Sequence, residues 1–325
     1  MLTARTGHDG PTSDHFDGRH FQNLPGVRSR GLASFLRWRR NRLLHGVGAW
    51  PEWIEATPGP APPERVAGSG LRCTVVNHST VLLQTAGLNI LTDPIWSWRA
   101  SPLPWLGPRR RRLPGVRFAD LPPIDVVLIS HNHYDHLDLP TLQALAQVHR
   151  PRFITGLGNR PLLEQEGIGP VVELDWWQDV PLPAGGVTCV PAYHFSARGL
   201  WDRNRTLCCG FVLTGASGPT YFAGDTGSGP HFAEIARRLG PPRLALLPIG
   251  AHLPRWFMQP VHKSPAEAVQ AHRDLQAAVS VAIHFDTFPL ADDAAGEALA
   301  ELQTALAAAP ADFRVPEFGT GIDIP

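Results

Sequence analysis

Residues 128 to 138 read LISHNHYDHLD, three histidines and two aspartates crowded behind an apolar run. Imidazoles and carboxylates so close together repel protons and lose hydration unless a cation neutralises them, so the fold must bring a metal to this loop. The preceding IDVVLIS (residues 124–130) reads as a buried strand, and a strand end is a rigid base from which a loop can aim several side chains at one point. Three further apolar runs behave alike: GVTCVPAYH leads to His194, TYFAGD to Asp225 and VSVAIH to His284. An isolated His194 or His284 reads more readily as a half-buried packing residue. Joined to His131, His133, Asp135 and His136, they complete a set of nitrogen and oxygen donors suited to two borderline transition ions.

The rest of the chain bounds what surrounds this set. Its 325 residues, 43% of them hydrophobic, can bury a sizeable core in one large domain or two small ones. Lys plus Arg balances Asp plus Glu at 29 each, so no basic excess argues for nucleic acid. Cys73, Cys189, Cys208 and Cys209 are too few for a disulfide scaffold and show no CxxC spacing. The first residues lack an apolar core of signal-peptide length and no run is long enough to span a bilayer, so the expected compartment is cytoplasmic.

Residues 1–70 are polar and Gly-rich, then basic, then proline-rich, and are expected to form an N-terminal extension packed on a main domain of residues 71–325. One basic helix is predicted around Leu32 to Leu44. Arg37, Arg39, Arg40 and Arg42 could meet anionic phospholipid at the inner face of a membrane, with Phe35, Leu36, Trp38, Leu43 and Leu44 supplying apolar contact. Trp and Leu at helical spacing more often mean core, so a helix packed on the main domain with solvated arginines is the expectation. From residue 71, LRCTVV, STVLLQT and LNILTD read as strands, with TAGLN as a hairpin connection. Helices follow at TLQALAQVH, at HFAEIARRLG and at SPAEAVQAHRDLQ, which opens with a capping box of Ser264 and Glu267.

SHNHYDHLD resembles the HxHxDH signature of the metallo-β-lactamase superfamily. YFAGDTG, LALLPIGAHLPRWFM, HKSPAEAVQAH and SVAIHFDTF, with GLNILTDPIWSWRASP and HFDGRHFQN upstream, resemble its branch of N-acylphosphatidylethanolamine-hydrolysing phospholipase D and bacterial relatives. The resemblance implies an α/β fold, an αββα four-layer sandwich of mixed sheets flanked by helices, with a dinuclear zinc site at one edge. It implies His131, His133 and His194 on one zinc, Asp135, His136 and His284 on the other, and Asp225 bridging them. Iron or manganese would suit the same ligands.

The implied activity is phosphodiester hydrolysis of an N-acylphosphatidylethanolamine-type phospholipid by a hydroxide held between the metals. Asp135 is expected to handle protons as well as bind metal, and His262 to contact substrate or leaving group. His252, Arg255, Trp256 and His262 are the expected substrate-binding residues, Trp256 to Met258 a candidate acyl-chain contact, and Arg109 to Arg112 a candidate headgroup loop weighed against a solvated charge run. Asp138 is expected to shape the ligand loop, and Arg198 to support a metal ligand. Asn77-His78, His252-Leu253 and Phe285-Asp286 depart from the branch's usual residues, which bears on substrate preference. The alternatives are hydrolysis of a small phosphorylated lactone or other ester, and a non-catalytic metal-binding regulatory protein. Homodimerisation and peripheral membrane contact stand as further expectations.

Overall fold

The computed structural model describes residues 7–23, 30–199 and 201–325, so parts of the expected N-terminal extension, residues 1–6 and 24–29, lie outside the described residues. The chain opens its main body with a meander of β1 (Leu71–Asn77), β2 (Thr80–Thr85) and β3 (Leu88–Thr92). The β2–β3 turn places Ala86 at φ 49° and Gly87 at φ 78°, the pair of positive values a two-residue hairpin requires. Parallel strands β4 (Val126–Ile129), β5 (Arg152–Gly156) and β6 (Val171–Leu174) extend the sheet through α2 (Leu139–Val148) and α3 (Arg160–Gln165), and β14 (Gly321–Asp323) closes its other edge.

The second sheet mirrors this plan. Antiparallel β7 (Asp179–Leu182), β8 (Gly185–Pro191), β9 (Cys209–Thr214) and β10 (Thr220–Phe222) lead into parallel β11 (Leu244–Pro248), β12 (Val279–Ile283) and β13 (Phe313–Arg314). Its helices are α4 (His231–Leu239), α6 (Pro265–Asp274) and α7 (Glu297–Ala308). The capping box of α6 forms as expected: Glu267 N–H donates to Ser264 Oγ, and Ser264 N–H donates back to the Glu267 carboxylate.

Period-two alternation explains the layers. In β4, Val126 and Leu128 join the core between the sheets, while Val127 and Ile129 pack outward with Leu142, Leu145 and Leu163 of α2 and α3. Both faces are therefore buried, and the run VVLI needs no polar face. Strands β1, β3, β4, β8, β10 and β12 all point their C-terminal ends to one edge of the sandwich. The result is an αββα sandwich whose chemistry-bearing residues gather at that edge.

Outside this body, α1 (Leu32–His45) lies against α5 (Arg255–Met258): Trp38 is buried, stacks on Phe257 at 5.1 Å and donates its indole N–H to Asp292. Residues 8–23 form a strap that inserts Phe16 and Phe21 into the inter-sheet core. His15 holds the strap, donating to Asp14 at 2.5 Å and Asp175 at 2.7 Å while stacking on Trp176 at 4.2 Å. Burial alone would lower its pKa from 6.5, but the Asp175 and Asp14 carboxylates outweigh burial and raise it. A group protonated more tightly in the folded state contributes full stability below its unfolded pKa and loses it as pH rises through the raised value. A His15→Gln variant is therefore expected to lower the melting temperature at about pH 6 and to change it little at about pH 9, read by calorimetry at both pH values.

Candidate metal centre

The loop after β4 and the segment after β8 bring three imidazoles together. His131 Nε2 lies 2.9 Å from His133 Nδ1, which lies 3.1 Å from His194 Nε2. The outer nitrogens determine what these inner atoms carry. His194 Nδ1 donates to the Val261 carbonyl at 2.9 Å. His131 Nδ1 donates to Ser130 Oγ at 2.9 Å, and that hydroxyl donates to Asp93 Oδ2 at 2.6 Å. With their protons held outside, His131 and His194 turn bare lone pairs inward, as metal-binding imidazoles do.

A second group adjoins the first. Asp225 Oδ2 is 3.0 Å from His284 Nε2 and 3.3 Å from His136 Nε2, and Asp135 Oδ2 is 3.2 Å from His136 Nε2 and 3.5 Å from His284 Nε2. The same Asp225 oxygen stands 3.8 Å from His194 Nε2, so it belongs to both groups. His136 Nδ1 donates to Asp93 Oδ2 at 2.6 Å, and His78 Nε2 donates to Asp135 Oδ2 at 3.0 Å. Asp93 thus orients ligand-type histidines in both groups through one buried carboxylate.

Burial would push both cluster carboxylates up, yet His136 and His284 hold Asp135 and Asp225 well below the usual range. Conversely, the carboxylates overcome burial to raise His136 well above its ordinary value and His284 to about 9. On the other side burial, reinforced by neighbouring histidines, lowers His133 to about 3 and His194, despite the nearby Asp225, to about 4. The carboxylate half demands positive charge and the histidine half offers neutral donors. His136 Nε2, His284 Nε2 and Asp225 Oδ1 are buried without a hydrogen-bond partner, a state that a bound cation would relieve. The residues therefore fit a metal pair.

His262 faces the same cluster, its Nδ1 buried, without a hydrogen-bond partner and 3.9 Å from Asp225 Oδ2. The other expected substrate residues lie elsewhere. His252 is fully buried and donates from Nε2 to Glu301 of α7 at 2.9 Å. Arg255 donates to the carbonyls of His252 and His262 and to Glu267, so it fastens the His262 loop to α6. Trp256 is partly buried under Arg37, whose guanidinium lies 4.7 Å from the ring centroid, and Phe257 and Met258 pack with Trp38. α5 thus packs against α1 through Trp256, Phe257 and Met258.

The Arg109–Arg112 loop also departs from a headgroup site: Arg110 is buried and donates to the Ser97 and Ile95 carbonyls, while Arg111 donates to Glu52 O. Arg198 donates to Asn132 O and Leu137 O, clamping the ligand loop from both ends. Asp138 accepts from Ser97 and Thr141 hydroxyls and shapes that loop's exit. The sequence reading missed Asp93 and His78, although each follows the end of a strand, β3 and β1, as the recognised residues do. Beside His194, a small hollow of about 10 Å³ is walled by Phe21, Asn23, Trp176 and Thr206, so the strap borders the site.

Comparison with known proteins agrees with this geometry. Residues 88–285 match the family model of the beta-lactamase superfamily domain. Over 233 residues, 68% of this chain, it is 39% identical to N-acyl-phosphatidylethanolamine-hydrolyzing phospholipase D 1 of Caenorhabditis elegans, and the match spans 65% of that protein's length. An uncharacterized protein of Mycobacterium tuberculosis is 41% identical over 276 residues, covering 82% of this chain and 73% of its own. Igni18, a metallo hydrolase of Ignicoccus hospitalis, shares the fold at a TM-score of 0.61 and 24% identity, covering 79% of this chain and 99% of its own.

Replacing Asp93 by Asn keeps the shape but removes the charge that orders His136 and Ser130. The expected outcome is a roughly 10- to 100-fold weaker hold on added metal in competition with a chelator, with an unchanged circular dichroism spectrum.

Proposed function

The chain belongs to the metallo-β-lactamase superfamily, in the branch of the N-acyl-phosphatidylethanolamine-hydrolysing phospholipases D, and on that premise we propose that it is a dinuclear zinc hydrolase cleaving a phosphodiester of an N-acylphosphatidylethanolamine-type phospholipid. The observation that carries this reading is the position of Asp225 Oδ2, within 3.8 Å of His194 on one side and of His136 and His284 on the other. His131, His133 and His194 would hold one ion, Asp135, His136 and His284 the other, with Asp225 between them. Bound there, the pair would supply Lewis acidity toward the phosphodiester oxygens and acidify a water for attack.

The chain's own residues do the rest. Asp93 and the Val261 carbonyl lock the imidazoles so that no reorientation is needed when charge develops. His78 Nε2, donating to Asp135 Oδ2, fixes the orientation of that carboxylate toward the cluster. His262 places a ring nitrogen beside the cluster without belonging to the seven ligands; burial, with His194 and His284 nearby, keeps the ring neutral, so it can contact the substrate or the departing oxygen as a hydrogen-bond partner. The buried walls of the site exclude water and strengthen each of these interactions.

His262→Gln is expected to lower turnover of bis-p-nitrophenyl phosphate by roughly 10²- to 10⁴-fold while metal content stays constant; full turnover at full metal content would remove its role. The substrate is tested by incubating metal-quantified protein with a lipid extract and following products by mass spectrometry. Release of N-acylethanolamine with phosphatidic acid is expected. An unchanged lipid profile, with turnover of small esters instead, would overturn the phospholipid assignment.

A further inference from the structure

The segment between β8 and β9 carries His194 and then three arginines, and the structure gives each arginine a different task. Arg198 is committed to the ligand loop, donating to Asn132 O and Leu137 O with its guanidinium 4.0 Å from the Tyr134 ring centroid. Arg205 turns toward Gly7, just before the strap. Arg203 is exposed, and its guanidinium lies 4.0 Å from the ring centroid of Phe195. That ring meets His133 at 4.5 Å and His194 at 5.0 Å. One aromatic ring therefore separates a solvent-reaching cation from two of the imidazoles that face the metal cluster.

The backbone on either side of Arg203 is fixed. The Asp202 carboxylate accepts from the N–H groups of Arg198 and Gly199, and its carbonyl accepts from Arg205 N–H. Asn204, in the left-handed region at φ 57°, donates its N–H to Ser196 O and accepts the strap's Phe21 N–H on its own carbonyl. A stacked guanidinium on an anchored turn has little freedom to lose on meeting a ligand, unlike an arginine on a mobile surface loop. Neighbouring cations cannot serve the same end. Arg255 is committed to two carbonyls and Glu267, Arg110 is buried against carbonyls, and Lys263 is buried with its Nζ 4.6 Å from the Phe232 ring centroid.

We propose that Arg203 binds the outward-facing non-bridging oxygen of the phosphodiester and so selects anionic substrates over neutral esters. A phosphodiester carries a pair of such oxygens; turning one toward the cluster leaves its twin facing the rim, where the planar fork of N–H donors matches it. The role lies in substrate binding rather than in the chemical step, because the Phe195 ring stands between the guanidinium and the cluster. It rests on the phosphodiester reading above, but affinity for inorganic phosphate tests the arginine separately from turnover.

Arg203→Met keeps an apolar chain over Phe195 and removes the charge, whereas Arg203→Lys keeps the charge and removes the fork. Inorganic phosphate is titrated into metal-loaded parent and variants by calorimetry, and turnover is compared between bis-p-nitrophenyl phosphate and the neutral ester p-nitrophenyl butyrate. In Arg203→Met, phosphate is expected to bind roughly 10- to 100-fold more weakly at parent metal content. The preference in kcat/KM for the diester over the neutral ester is expected to fall by a similar factor, chiefly through KM. Arg203→Lys should recover part of both. Unchanged phosphate affinity in Arg203→Met would overturn the assignment, and so would an equal loss toward both esters, which would mark the stack as structural only. A parent that binds phosphate through Arg203 yet leaves the diester intact would overturn the phosphodiester reading and uphold the anion site.

Discussion

The electrostatics around Asp225 govern everything else at the active edge. A buried carboxylate cannot remain ionised without positive charge, and this one, with Asp135, draws that charge from His136 and His284. Beside it, three imidazole nitrogens within about 3 Å of their neighbours cannot all keep bare lone pairs without something to share them. Protons can meet the first need but meet the second only at low pH, because burial and the neighbouring histidines hold His133 down to about 3, and burial holds His194 to about 4, while Ser130 and Val261 keep the protons of His131 and His194 on their outer faces. Cations meet both. The arrangement is costly as a protein interior and economical as a metal site, which is why the outer hydrogen bonds are as much a part of it as the ligands.

The fold makes that concentration of polar groups tolerable by confining it to one edge. Six strands from two sheets end there, and the layers behind them are almost wholly apolar, from Val75 and Leu128 on one side to Phe222 and Val281 on the other. Rigid strands determine where the ligands start and short loops determine where they meet. Arg198 and Asp138 then secure the one long ligand loop, binding its carbonyls and its exit.

What was legible in the sequence follows from this physics. His131 to His136 stand out because local crowding of ligands has no structural substitute, and His194, Asp225 and His284 because each terminates an apolar run. Asp93 and His78 obey the same rule but stand alone after their strands, and a single polar residue after a strand looks like any turn residue. Their roles come from pairings with His136 and Asp135 far along the chain. Of the strap, only HFDGRHFQN drew notice, and that by resemblance without a structural role, since its hold depends on Asp175 and Trp176. In GAHLPRWFM the aromatic residues read equally as a binding surface or as packing; Phe257 stacks on Trp38 of α1, a contact far along the chain that the local sequence does not announce. The leucines of α1 diverged the other way, expected in the core by spacing and found exposed, because the flat contact with α5 accommodates only Trp38.

The central claim is that this edge is a two-cation site. Elemental analysis of the purified chain, stripped with chelator and reloaded with zinc before gel filtration, tests it most directly. Two ions per chain are expected, with both lost on lowering the pH far enough to protonate the neutral histidines. A folded chain that retains one ion or none after reloading would contradict the account.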